Sequence, residues 1–194
     1  SAASILLTNV TGLAQAVSYD FTSGKEQFSS AAPTPGFSFA TNAPTKYFLA
    51  LTGLTGDATA PSHQGWFNID LMDFGLGGGV GMIPNFSDVG LRLSSDNQAG
   101  RLMQQMADGK TFNGATISGV DGKGNVVYTL DLGNVNISQL VDDGERGFWL
   151  DLDFRKFELT TQGYNSLGSL KANPSFGWDL DTNTPLASLA SAKP

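Results

Sequence analysis

His63 is the only side chain in this sequence that titrates near neutral pH, and there is no cysteine. Nucleophilic catalysis needs a Ser or Cys beside such a base, with a third group to orient it; a metal site needs several ligands at regular spacing. His63 has no second His and no identifiable nucleophilic partner, so it reads as a structural hydrogen-bonding residue. Asp151 and Asp153 stand two apart, with Glu145 upstream. Glycosidases place two carboxyls of divergent acidity across a cleft, whereas acids two apart on a strand form its wetted face. Trp149 shares that face. Asp179-Leu180-Asp181-Thr182-Asn183 opens like a calcium loop, in which alternate oxygen side chains converge on one ion. Thr184 replaces the sharp-turn Gly and Ala190 replaces the bidentate Glu. That favours an edge turn with solvated acids and leaves calcium at Asp179, Asp181 and Asn183 open. Gly75-Leu76-Gly77-Gly78-Gly79-Val80-Gly81 is followed by Met82-Ile83 where a phosphate loop requires Lys and Ser or Thr. It reads as a flexible connection between strands. No catalytic residue, metal ligand or cofactor is assigned, and the expectation is a protein that is not an enzyme.

The elements that would position these residues are mostly strands. The 24 Gly and few helix formers point to an all-β chain with tight turns, and 13 Phe point to a core filled by aromatic rings. Lys46–Leu51 is apolar on both faces, as a central strand is. Further strands are expected over 66–74, 86–93, 116–120, 126–132, 135–140 and 148–159, with a hairpin turn at Asp121-Gly122-Lys123-Gly124-Asn125. In the last of these Phe148, Leu150, Leu152 and Phe154 share one face, and Phe157 and Leu159 fall on the other. Such a phase change near Arg155-Lys156 marks a bulge or a crossing between two sheets. One helix is expected over 96–107, capped by Asp96, with Leu102, Met103 and Met106 as its apolar stripe and Asp108-Gly109 as its stop.

Residues 1–45 differ in character. Ile5-Leu6-Leu7 is strand-like, and Val17, Tyr19 and Phe21 alternate on one face of a second segment. A Pro-rich stretch, 29–36, and a short segment at Phe37-Ser38-Phe39 follow. The expected organisation is an extended N-terminal arm (1–45), a main domain (46–184) and a loose Ala/Ser/Leu-rich tail (185–194).

A net charge of −7 with only 11 Lys and Arg argues against nucleic acid and anionic membranes. No run approaches the roughly 18 apolar residues that span a bilayer. Ser1-Ala2-Ala3-Ser4 has the small-residue composition found near signal-peptidase sites, with a tag remnant as the alternative. The expected location is secreted or extracellular.

From Lys46 to Asn183 the order of landmarks resembles the hemolysin-coregulated protein (Hcp) family, the tube subunit of bacterial type VI secretion. Leu54-Thr55-Gly56 leads to the step His63-Gln64-Gly65, and the Gly-rich stretch 75–81 follows the next strand. An Asp-initiated helix then ends in Asp108-Gly109-Lys110. Leu132-Gly133-Asn134-Val135, Phe154-Arg155-Lys156-Phe157 and Gly177-Trp178-Asp179 close the series. The resemblance covers about 140 residues. It implies two packed sheets closing into a β-sandwich or barrel with one flanking helix, hexameric rings that stack into tubes, and a lumen that can hold small effector proteins. The 45 residues ahead of the first strand depart from the family's pattern.

The functional expectation is a self-assembling structural protein whose partner is a second copy of itself, in rings, tubes or extracellular filaments. Val17, Tyr19 and Phe21 are the candidate interface residues, adding as a strand to a neighbouring subunit. The alternative is a secreted binding module for carbohydrate or a cell-surface partner, with Trp66, Trp149 and Trp178 as contact rings.

Overall fold

Alternating apolar residues punctuated by Gly-rich turns fold into strands along most of this chain. The computed structural model describes residues 2–8, 14–20, 25–29, 43–77, 85–94, 98–172, 175–192 and 194. It divides into two compact units, Ser1–Thr41 and Asn42–Pro194.

The first unit is an antiparallel meander of β1 (Ala2–Thr8), β2 (Ala14–Asp20) and β3 (Lys25–Ser29). Val17 pairs with Ile5 on one side and Phe28 on the other, and Tyr19 with Ala3 and Glu26. β2 is therefore the middle strand. Phe21 and Phe37-Ser38-Phe39 lie outside the described residues.

The second unit begins with β4 (Lys46–Leu51), β5 (Phe67–Asp73), the two-residue strands β6 (Leu76–Gly77) and β7 (Asn85–Phe86), and β8 (Val89–Leu93). Helix α1 (Ala99–Ala107) precedes β9 (Phe112–Val120) and the 17-residue β10 (Val126–Asp142). After a 3-10 turn at Gly144–Arg146 come β11 (Phe148–Asp153), β12 (Lys156–Tyr164), β13 (Leu170–Ala172), β14 (Phe176–Asp179) and β15 (Thr184–Pro185). Antiparallel pairing runs β10-β11-β8-β5-β4-β9 and returns to β10, closing a six-strand barrel; β12, β14 and β15 extend from β10 as a flap.

β10 makes this closure possible. Residues 128–133 pair with β12 and residues 136–142 with β11, so two successive strands share one edge of it. The change of partner falls at Asn134, whose φ of 53° is in the left-handed region that Asn tolerates. Across from it the chain breaks between β11 and β12 at Phe154-Arg155, where Arg155 N–H bonds the Gly133 carbonyl at 3.1 Å. The expected phase change is real, and it is the corner of the barrel. The expected separation of 126–132 from 135–140 is not found, because a positive φ bends the strand without ending it.

Inside, Leu49, Leu51, Leu91, Ile117, Leu130, Leu132, Leu150 and Leu152 are fully buried. Each such side chain contributes about 1.5–3 kcal/mol of burial free energy. Phe157 lies between Phe74, Phe86, Phe154 and Phe176, with ring centroids 4.7–5.9 Å away. Edge-on and tilted pairs of this kind suit the ring quadrupole. The half-turn that β12 makes after the corner is what brings Phe157 and Leu159 back onto the core that β11 already lines.

Two local expectations fail. Helix α1 packs on the barrel at β10 with Leu102 as its buried residue, leaving Met103 and Met106 47% and 40% exposed. A helix of nine residues has two and a half turns, too few for a whole stripe to reach the curved barrel wall. Its N-cap is Gln98, with no side-chain bond, and Asp96 lies outside the described residues. Gly109, at φ 61°, does stop the helix.

The tail expected to be loose is a strap. Leu189 N–H bonds Glu158 Oε2 at 2.6 Å and Ala192 N–H bonds Thr116 Oγ1 at 2.7 Å, with Ala192 buried. Its path over β12, β10 and β9 follows a trough left by Gly133 and Gly114, which are cross-strand partners. A Cβ on Gly133 would sit 3.3 Å from Leu189, and one on Gly114 would sit 3.7 Å from Ala192.

Candidate functional site

Among the described residues, the outer faces of the barrel carry His63, Asp151 and Asp153, and they divide into a covered half and a bare half. Over β4 and β9 lies the loop between β4 and β5, held by Gly56 N–H to the Gly65 carbonyl and Ala58 N–H to the Trp66 carbonyl, at 2.7 and 2.8 Å. It brings Ala58 against the outward side chains Phe48 and Val120, making a second small core flanked by Trp66. His63 is 2% exposed, stacks on Phe48 at 4.4 Å and meets the Trp66 edge at 4.9 Å. Its Nε2 is 2.7 Å from Ser118 Oγ and its Nδ1 2.8 Å from Ser62 Oγ, one nitrogen donating and the other accepting. Burial pushes its pKa below the usual histidine value. A neutral imidazole wedged between aromatic rings, with hydroxyls and no carboxylate at its nitrogens among the described residues, fastens a loop.

Beside it, Asp121 closes the β9–β10 turn. Its Oδ1 accepts from the N–H groups of Lys123 and Asn125 at 2.8 and 2.9 Å, and its Oδ2 from the Tyr164 hydroxyl. The Tyr164 bond, with the backbone and Asn125 donors behind it, holds the Asp121 carboxyl down to about 2. The Tyr164 hydroxyl also accepts from Asn125 Nδ2, and Lys123 Nζ lies 4.7 Å above its ring. This clamp ties the turn to the end of β12.

Under the strap, Asp131 is 6% exposed and accepts from the Thr116 hydroxyl at 2.5 Å. Desolvation raises its pKa, with the Glu158 carboxylate opposite adding to the rise and the hydroxyls of Thr116 and Ser191 opposing it. The cluster is closed by the chain itself.

The bare half is the outer face of β5, β8, β11 and the end of β10. Register places Leu71, Arg92, Trp149 and Val141 in one row across those four strands. Trp149 lies flat over Gly90, where a Cβ would come within 2.6 Å of the indole. Its Nε1–H bonds Asp151 Oδ1 at 2.8 Å, and the Arg92 guanidinium carbon is 5.9 Å from its ring centre. Arg92 Nη2 is 3.3 Å from Asp143 Oδ2, while its buried Nε–H has no acceptor among the described residues.

Asp151 and Asp153 do share the outer face of β11, but Asp151 serves Trp149 and Asp153 pairs with Arg155 at 3.5 Å. The Glu145 side chain lies outside the described residues. In the calcium-like turn, Asp179 Oδ2 is 2.9 Å from Lys156 Nζ and its Oδ1 accepts from the N–H groups of Asp181 and Thr182. Lys156 is also the chief cause of its depressed pKa. Asn183 Oδ1 accepts from Trp178 Nε1 at 3.3 Å. The side-chain oxygens of Asp179 and Asn183 are engaged within the turn and with Lys156, and no acid or histidine cluster among the described residues could hold a metal. The three Trp lie apart: Trp66 packs on the loop's small core, Trp178 stacks on Phe176, and Trp149 alone belongs to the bare row. Of the glycine-rich stretch, residues 78–84 lie outside the described residues.

The sequence model of the family described as "Type VI secretion system effector, Hcp" matches residues 48–161, from β4 to β12. The chain belongs to the Hcp family. Hcp1 from Salmonella typhimurium superposes with a TM-score of 0.60 at 14% identity, over 73% of this chain and 98% of its own. A type six secretion system protein gives 0.65 at 15% identity over 73% and 99%, and a type VI secretion system effector from Yersinia pestis gives 0.57 at 13% over 69% and 98%. At these identities the likeness is one of fold, an Hcp barrel with one helix. No curated protein sequence matches the chain. The described residues contain no helix long and apolar enough to cross a membrane.

Proposed function

We propose that this Hcp-family chain is a structural subunit that assembles with copies of itself into rings, and that the rings stack into tubes or filaments. The observation that carries this reading is family membership over 48–161, together with polar clusters engaged within the fold. No covalent step is part of the mechanism. Subunits meet through outer faces and loops, the lumen takes small effector proteins, and the assembly acts outside a bacterial cell after type VI export.

The N-terminal meander supplies a second contact. Its middle strand carries Val17 and Tyr19, and β1 and β3 are its open edges. An open edge, β1 or β3, adds to a neighbour's sheet, and the side chains of Val17 and Tyr19 on the middle strand, with Phe21 after them in the sequence, add contacts across the face.

Negative-stain electron microscopy and sedimentation velocity of the full chain test this directly. Rings or filaments are expected, and a 20.4 kDa monomer at every concentration overturns the proposal. Removing residues 1–41 is expected to abolish long assemblies and leave a folded barrel; filaments of unchanged length would remove the meander from the mechanism.

A further inference from the structure

The two halves of the barrel's outer wall differ in what lies over them. Among the described residues, the chain lays its own loop and strap over β4, β9, β12 and the first part of β10 but neither over the Leu71–Arg92–Trp149–Val141 row. Leu71 is 44% exposed and Val141 40%. Between them Trp149 and Arg92 are held in place: the indole by Gly90 and Asp151, the guanidinium by Asp143. Holding Arg92 there leaves a buried N–H without an acceptor, which costs about 1–3 kcal/mol. Pre-ordered Trp and Arg flanked by aliphatic side chains have the composition of a binding hot spot, because little freedom remains to be lost on contact.

The surroundings of the row are acidic. Asp73, Asp88 and Asp142 are exposed and make no ion pair among the described residues. In the closed strand order β10-β11-β8-β5-β4-β9, β11 stands across the barrel from β4, and β8 across from β9. That opposite side carries an open pocket of about 460 Å³, walled by Phe48, Ala60, Pro61 and Val120. Lys46 is on its rim and Lys123 at the adjoining hairpin tip, and neither makes an ion pair among the described residues.

We infer that the Leu71–Arg92–Trp149–Val141 row is one half of a subunit contact, and that its occupant is a second copy presenting the pocket beside Lys46 and Lys123. The inference rests on the ring-forming reading and names the surfaces that reading requires. Apolar row meets apolar pocket, and the lysines face Asp73 and Asp88. A chain of net charge −7 repels its copies unless local charges are matched in this way. Two different faces on opposite sides of one barrel make a head-to-tail contact, which propagates until rotation closes it.

The test uses charge reversal on the full chain, read by sedimentation velocity. The variant Lys46→Glu with Lys123→Glu and the variant Asp73→Lys with Asp88→Lys change exposed residues and are expected to fold. Each alone is expected to sediment as a 20.4 kDa monomer, because each presents two faces of like charge. Mixed in equal amounts they are expected to reassemble, each restoring the other's missing complement. Trp149→Ala, with folding checked by circular dichroism, is expected to weaken association by about 30-fold or more. Variants that assemble as well as the wild type, or a mixture that stays monomeric, overturn the contact while ring formation stands. A wild-type chain that is monomeric throughout overturns the ring reading and this inference with it.

Discussion

Asp121 shows how much one side chain can hold when its lone pairs are fully used. It gathers two backbone N–H groups of its own turn and a phenol 43 residues away, so that the end of β9, the start of β10 and the end of β12 meet at one point. Its carboxyl is held down to about 2, against an ordinary value near 3.8. A depressed carboxylate pKa contributes stability above the unfolded value and loses it as pH falls through the folded one. Asp121→Asn is therefore expected to lower the melting temperature by a few degrees at pH 7. The gap to wild type should stay level down to about pH 4 and close toward pH 2, as thermal melts at stepped pH would show. A gap that persists at pH 2 would mean that the turn depends on side-chain shape and not on charge. Asp131 runs the other way. Its raised pKa makes the ionised form a burden, so its stabilising contribution is present in acid and lost as pH rises through the folded value.

Among elements, strands were more legible than their joints. β4 falls over the expected residues because an apolar run bounded by Gly and Pro has few alternatives. The corner at Phe154-Arg155 could be read because a change of alternation is a local signal. The bend inside β10 could not, since Gly133-Asn134 looks like a turn until β11 and β12 are seen sharing one strand edge. The strap was hidden for a different reason. Its anchors are backbone N–H groups and a trough formed by two glycines that register alone brings together. The same limit applies to the bare row. The sequence places Trp149 and Asp151 on one face, but the alignment of Leu71, Arg92 and Val141 with them is a property of pairing. The trough makes a sharp prediction. Gly133→Ala puts a methyl 3.3 Å from the tip of Leu189, a tight contact that Leu189 must shift to relieve. It is expected to cost about 1–3 kcal/mol in urea unfolding and to expose the strap to carboxypeptidase. Adding Leu189→Ala should recover part of that loss, because the two side chains compete for the same space. If the losses simply add, Leu189 does not lie in the trough.

At the scale of the molecule, the barrel wall is asymmetric: among the described residues, the chain's own loop and strap lie over β4, β9 and β12 beside an open pocket, and neither lies over the Leu71–Arg92–Trp149–Val141 row. The expected all-β class and Hcp architecture are present in the second unit, with one α-helix among the described residues. β10 has a consequence beyond architecture. Three strands pair with it, and residues 128–133 are bonded on both edges, to β9 and β12. β9, β10, β11 and β12 follow one another along the chain, so their pairings close short loops, whereas Lys46 must find Val120 across the whole intervening sequence. The β9–β12 meander can therefore condense first, with β4, β5 and β8 docking onto it later and more slowly. In native-state hydrogen exchange the amides of 128–133 are expected to be the last to trade their protons, opening only when the whole barrel does. The rate-limiting event in folding is then the arrival of β4, and until it arrives the newly made meander presents an unpaired edge to every other chain in the cell.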